Sequence, residues 1–196
     1  MHTCKKGFTL IELLIVIGIL AILATVTLLV LNPAQMFAQA RDSQRIADLN
    51  TVKSTIALYT SMASSPTLGD TCSTNYWGTM ATTSSALFPG SRTWKTSTAT
   101  TSVDGTGWVP VPLSTMEGGS PISSLPLDPS NISGNSNTIA TTAYYYACNN
   151  TQITFKLIGN LESNRFVSGG LDDKESIDGG TFPGFYEVGT NLTSSL

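Results

Sequence analysis

From Phe8 to Leu31 the chain runs 24 residues with a single ionisable side chain, Glu12. No other feature constrains the fold as strongly. A helix of that length spans roughly 36 Å, enough to cross a hydrocarbon core of ~30 Å with some tilt. Lys5 and Lys6 stand directly before it and mark the side that stays in the cytoplasm. Glu12 is the anomaly, because a carboxylate inside a span is costly and normally has a partner.

Three ordinary explanations fit poorly. A cleaved secretory signal has an apolar region of about 7–15 residues; this run is longer, although Ala38-Gln39-Ala40 resembles a cleavage site. A lipoprotein signal places its cysteine after the apolar run, whereas Cys4 precedes it. A plain anchor leaves Glu12 unexplained. Cleavage between Gly7 and Phe8 explains it. The new α-amine of Phe8 would lie within reach of the carboxylate four residues along, or of one on a neighbouring chain. A buried amine and a buried carboxylate tolerate each other where neither is tolerable alone.

The stretch KKGFTLIELLIVIGILAIL resembles the prepilin-type cleavage and methylation motif of type IV pilins and type II secretion pseudopilins. A basic leader ends in glycine, an aromatic residue follows, then Thr-Leu-Ile-Glu-Leu, all in register. The resemblance implies a leader at residues 1–7 removed by prepilin peptidase, N-methylation of Phe8, and a part for Glu12 in subunit docking. It also implies an α+β, pilin-like fold: a long N-terminal helix, apolar then amphipathic, packed on a small antiparallel sheet.

Beyond residues 8–31, the membrane or filament-core half, helical spacing resumes over 32–62. Ile46, Leu49, Val52, Ile56 and Tyr59 fall three or four apart and predict one apolar stripe. A single helix from Phe8 to about Met62 is expected. Pro33, lacking an N–H, predicts a kink or local melting over 29–33, and Gly18 is a second weak point. Arg41, Asp42, Arg45, Asp48 and Lys53 alternate in sign off the stripe, as a solvated face or as ion pairs between packed subunits.

Residues 63–196 form the expected globular region. Its first part is rich in Ser, Thr, Gly and Pro and predicts loops with short irregular strands; GWVPVPL, from Gly107 to Leu113, reads as an edge strand broken by prolines. Ser124 to Asn131 is a turn-rich link. Ala143–Cys148 and Gln152–Leu161 predict a hairpin turning at Asn149-Asn150. Residues 165–170 and 185–192 predict two further short strands.

With Cys4 lost in the leader, Cys72 and Cys148 remain, facing an oxidising exterior. They are either two buried thiols or a disulfide closing a loop of about 77 residues, for which chain entropy gives roughly 4.5 kcal/mol. His2 is the one histidine and leaves with the leader, so no Ser-His or Cys-His catalytic arrangement is expected and the chain is not read as an enzyme. No cofactor is expected either. Calcium is the one candidate: Asp172, Asp173, Glu175 and Asp178 crowd a Gly-bounded loop, off EF-hand spacing, and major pseudopilins bind calcium in a comparable late loop. The alternative is a solvated acidic turn. Asn131, Asn149 and Asn191 open N-x-[ST] triplets, which chance supplies readily in such a composition. Trp77, Trp94 and Trp108 read as core plugs, or as a binding surface.

The expected function is structural: a prepilin built through its N-terminal helix into an extracellular type IV pilus-like filament. Its partners would be other pilin subunits, prepilin peptidase and the assembly machinery of a bacterial inner membrane. It would be a single-pass membrane protein first and a surface filament afterwards. A pseudopilin of a secretion or DNA-uptake system is the near alternative, and a single-span adhesin the distant one. Direct nucleic-acid binding is not expected: without the leader, 8 basic residues face 13 acidic ones, a net charge of −5.

Overall fold

The computed structural model describes residues 7–79, 92–95, 101–130 and 143–192. The chain divides into two compact units, Met1–Phe37 and Ala38–Leu196.

In the first unit α1 runs from Leu10 to Leu31. Its described side chains, through Thr27, are all exposed, and Leu10–Thr27 is long and apolar enough to cross a membrane. Helix α2 runs from Pro33 to Met62 and enters the second unit at Ala38. The expected single helix is therefore two. The break falls at Asn32, which adopts the left-handed conformation (φ 39°). Pro33 has no N–H to continue α1, yet it is well suited to open α2 as its first residue. Asn32 serves both ends: it caps α1, and its carbonyl accepts from the amides of Gln35 and Met36 at 3.0 and 3.3 Å. At Gly18 the helix continues without interruption.

The second unit is built on a sheet of five strands: β1 (Asn75–Gly78), β2 (Thr93–Trp94), β3 (Tyr144–Asn149), β4 (Thr154–Gly159) and β5 (Tyr186–Gly189). Their spatial order is β2-β1-β3-β4-β5. The last four in that order are antiparallel, and the two-residue β2 pairs parallel to β1 at one edge. The α+β, pilin-like architecture expected from the sequence is present.

Strand alternation sorts the side chains of β3 onto two buried faces. Tyr144, Tyr146 and Cys148 join Leu49, Val52, Ile56 and Tyr59 of α2 in the main core, with Phe155, Leu157 and Val188 of β4 and β5. Tyr145 and Ala147 face the other way with Tyr76 and Ile158, and Phe182 and Phe185 pack against them. Helix and sheet meet closely at Gly159, where an added Cβ would stand 2.9 Å from Leu49 Cδ1. Ile46, expected in the apolar stripe, is only half-buried at its margin.

Several local expectations are corrected. GWVPVPL is no strand. Pro110 and Pro112 cannot donate to a ladder, and the segment makes one isolated bridge, Asp104 to Pro112, before a 3₁₀ turn at Leu113–Thr115. Its Trp108, Val109, Val111 and Leu113 are nevertheless fully buried, as an irregular wall of the main core. The hairpin turn is wider than Asn149-Asn150, since the last pair is Asn149 with Thr154. The Asn150 side chain is spent elsewhere, accepting from Leu68 N at 2.8 Å and donating to Gly69 O at 2.6 Å. Residues 165–170 form turns, because their backbone groups are taken locally: Gly170 N donates to Val167 O and Ser168 N to the Glu175 carboxylate. β1 and β2 both lie inside the Ser/Thr-rich stretch, where short irregular strands are expected but the sequence places neither of these two.

Candidate functional site

At the start of α1 stand the residues marked for processing. Gly7 is exposed and precedes the helix, and Phe8 is 79% exposed. Thr9 is the N-cap, its hydroxyl accepting from Glu12 N at 3.3 Å. Glu12 Oε2 reaches back to accept from Thr9 N at 2.9 Å and Thr9 Oγ at 2.8 Å. The pair is a reciprocal capping box that satisfies orphan amides of the first turn. In the uncut chain Glu12 thus has a local partner, which the sequence reading did not foresee. Thr9 followed three residues later by Glu12 was the available signal. The same geometry leaves the Gly7–Phe8 bond outside the helix.

Four of the five charges of α2 are taken up by partners within the chain, Arg41, Asp42, Arg45 and Asp48, whereas Lys53 is half-buried and forms no ion pair among the described residues. Arg45, 1% exposed, donates through Nε to Asp128 at 2.7 Å and through Nη1 to Asp42 at 2.8 Å and Glu162 at 2.6 Å. Asp42 also accepts from the amides of Glu162 and Ser163. Arg41 takes the outer side of Glu162 at 2.6 Å. Asp48 accepts from the Tyr144 hydroxyl at 3.0 Å. By contrast, none of the exposed positions of α2 from Ala40 to Met62 carries a charge; they are Ala, Ser, Thr, Gln, Leu and Met.

This cluster has an acid limit. The hydrogen bond from Arg41, aided by Arg45 and opposed by burial, holds the Glu162 carboxyl down to about 2. A carboxylate depressed in the folded state stabilises it above its ordinary value and loses that contribution as pH falls through the folded value. The wild-type thermal midpoint should therefore fall more steeply than that of Glu162→Gln as pH drops from about 4.5 to about 2. Parallel curves for the two proteins would show that Glu162 contributes nothing. Asp48 works the other way, its carboxyl raised by burial more than the Tyr144 bond lowers it.

Cys72 and Cys148 are joined in a disulfide that ties the segment before β1 to the end of β3. The acidic loop does not assemble its carboxylates. Asp172 pairs with Lys174 at 2.8 Å, Asp173 accepts from the amides of Gly169, Glu175 and Ser176, and buried Glu175 accepts from Leu161 N and Ser168 N. Asp178 accepts from Gly180 N and Glu187 N. Their oxygens hold the loop and the outer edge of β5, and no metal-ligating group of three acidic, His or Cys residues occurs among the described residues. Trp77 and Trp108 are buried in the main core, with Trp108 Nε1 donating to Pro126 O at 3.0 Å. The Trp94 side chain and the sequon at Asn131 lie outside the described residues, as does Thr193 of the sequon at Asn191. Asn149 is taken up in the hairpin turn, its side chain accepting from Thr151 N at 2.9 Å. Buried Lys156 and Glu187, paired at 3.0 Å across β4 and β5, were not anticipated.

No curated protein and no solved structure matches the chain. One family model does, the prokaryotic N-terminal methylation motif, over residues 3–28. That span contains Gly7 and Phe8, the capping box and most of α1. Residues 3–28 thus carry the signature of type IV pilins and pseudopilins, a structural rather than an enzymatic family, and support reading the chain as a precursor of that type.

Proposed function

We propose that this chain is the precursor of an extracellular pilus-like filament subunit, cut between Gly7 and Phe8, methylated on Phe8 and polymerised through its N-terminal helix. The methylation motif carries the proposal: within residues 3–28 the basic stretch ending at Gly7 precedes Phe8 and an apolar helix with Glu12 in its first turn, the arrangement a leader and a cut before Phe8 would need. Two features support it. The described side chains of α1 have no cover within the chain, as befits a helix that lies first in lipid and then among other helices. The fully exposed positions of α2 are uncharged while Asp42 and Arg45 are neutralised inside, which suits a helix packed against neighbours and not one left in water. The four acidic loop residues would act as structural acceptors in this subunit, not as a calcium site.

The test is the chain terminus in material sheared from the cell surface. Mass spectrometry should find a first peptide that begins with methylated Phe8. A chain starting after Ala40 would remove the proposal. Replacing Gly7 with a bulky residue should leave Lys5 and Lys6 attached and abolish surface filaments. Many copies per filament would mark a major pilin, and traces a minor subunit or pseudopilin.

A further inference from the structure

The Arg92 side chain is half-buried and finds carbonyls as its partners. Its Nη1 donates to Cys72 O at 2.5 Å, Asn75 O at 2.9 Å and Cys148 O at 3.3 Å, and Nη2 to Cys148 O at 3.4 Å. Among the described residues no carboxylate forms an ion pair with it. Both cysteines of the disulfide thus offer their own backbone oxygens to one guanidinium. The position is also informative. In the β1–β3 ladder Tyr76 faces Ala147, so one step outward Asn75 faces Cys148. The ladder ends at Tyr76 and Ala147, one step short of that pair, and Arg92 donates to the carbonyls of Asn75 and Cys148 instead.

Arg92 leads directly into β2. Among the described residues that strand holds the edge of β1 through two backbone bonds, Thr93 N to Thr74 O at 2.7 Å and Lys95 N to Tyr76 O at 3.0 Å, over two register pairs. Two parallel pairs are too few to hold a strand by themselves. We infer that Arg92 is a clasp set by the disulfide: the Cys72–Cys148 bond fixes three carbonyls as a fork, the guanidinium locks into it, and β2 closes the edge of β1 only in oxidised chains. The inference is independent of the filament reading.

The chemistry is reversible. A dithiol reductant delivers two electrons and two protons to the Cys72–Cys148 bond, leaves two thiols and becomes a cyclic disulfide. Once the bond is gone, Cys72 and Cys148 are no longer held at a Cα separation of 4.7 Å. The fork opens, the clasp loses partners, and the backbone groups of Asn75–Gly78 on the β2 side become a free edge, the kind that pairs with other chains. Linkage makes the effect reciprocal. If the bond favours docking of Arg92, docking of Arg92 must favour the bond.

The test is hydrogen exchange on the full chain in detergent, followed at the amides of Thr93 and Lys95, with Leu157 and Ile158 of β4 as the reference. In oxidised protein, Arg92→Ala should speed exchange at Thr93 and Lys95 at least tenfold and leave the reference unchanged. Arg92→Lys, which keeps the charge without the fork, should behave like Arg92→Ala. In glutathione buffers Arg92→Ala should also shift the thiol–disulfide balance toward thiols about tenfold. Unchanged exchange at Thr93 and Lys95 in oxidised Arg92→Ala overturns the clasp. A glutathione balance equal to that of wild type overturns the coupling even if β2 loosens. Neither arm requires the reduced protein to remain fully folded.

Discussion

Glu12→Gln should insert and be processed as the parent chain is, and yield less than a tenth of the parental filaments. The substitution separates two roles that the structure and the proposed function assign to one side chain. As a capping residue Glu12 accepts from Thr9 N and Oγ, and glutamine performs that task nearly as well. As the proposed partner of a Phe8 amine it must be an anion, and glutamine is not. An amine left in an apolar filament core with no carboxylate carries an uncompensated charge, which costs about 3–5 kcal/mol where a buried pair is broken, or more than a hundredfold per contact. Cleavage creates the amine, so unprocessed chains cannot make the contact, and the carboxylate would admit processed subunits alone. Counting filaments by electron microscopy against total processed protein decides the matter. Normal yield from Glu12→Gln would reduce Glu12 to a helix cap.

The second large effect is expected at Arg45. Arg45→Ala should destabilise the unit Ala38–Leu196 by about 3–5 kcal/mol, because Asp42 and Asp128 would keep their burial and lose their cation. Burial by itself favours loss of the Arg45 proton; the hydrogen bonds and charge of Asp128, with Glu162 and Asp42, outweigh it and hold the guanidinium above its ordinary value. Guanidinium chloride titration of the full chain in detergent, read by fluorescence of buried Trp77 and Trp108, measures the change. Adding Asp128→Asn and Asp42→Asn to Arg45→Ala should recover part of the loss. A loss below about 1 kcal/mol from Arg45→Ala alone would class the cluster with exposed ion pairs.

The sequence by itself determined the features that depend on local spacing. An apolar run of membrane length, the two lysines before it and a glutamate in register with the proposed cut after Gly7 are all written within 30 consecutive residues. The same holds for the stripe Leu49, Val52, Ile56 and Tyr59, which needs only the helical period, and for β3 and β4, whose aromatic and branched residues tolerate little but a buried sheet. Pro33 announced its interruption, although only the structure located the break at Asn32 and made two helices of one.

What tertiary structure decided is where the polar groups go. Arg45 and Asp42 look in sequence like any solvated helix pair. Their burial depends on Asp128 and Glu162, more than 80 residues away, arriving at the same point. The acidic loop looks like a cation site until Asp173, Glu175 and Asp178 are seen accepting backbone amides that the chain brings to them and Asp172 is seen paired with Lys174. β1 carries no alternation that betrays it, because both its faces are buried and its ladder is supplied by β3 from a distant part of the chain. Apolar periodicity is a property of neighbours in sequence. The satisfaction of buried charges and amides is a property of neighbours in space, and only the folded chain selects them.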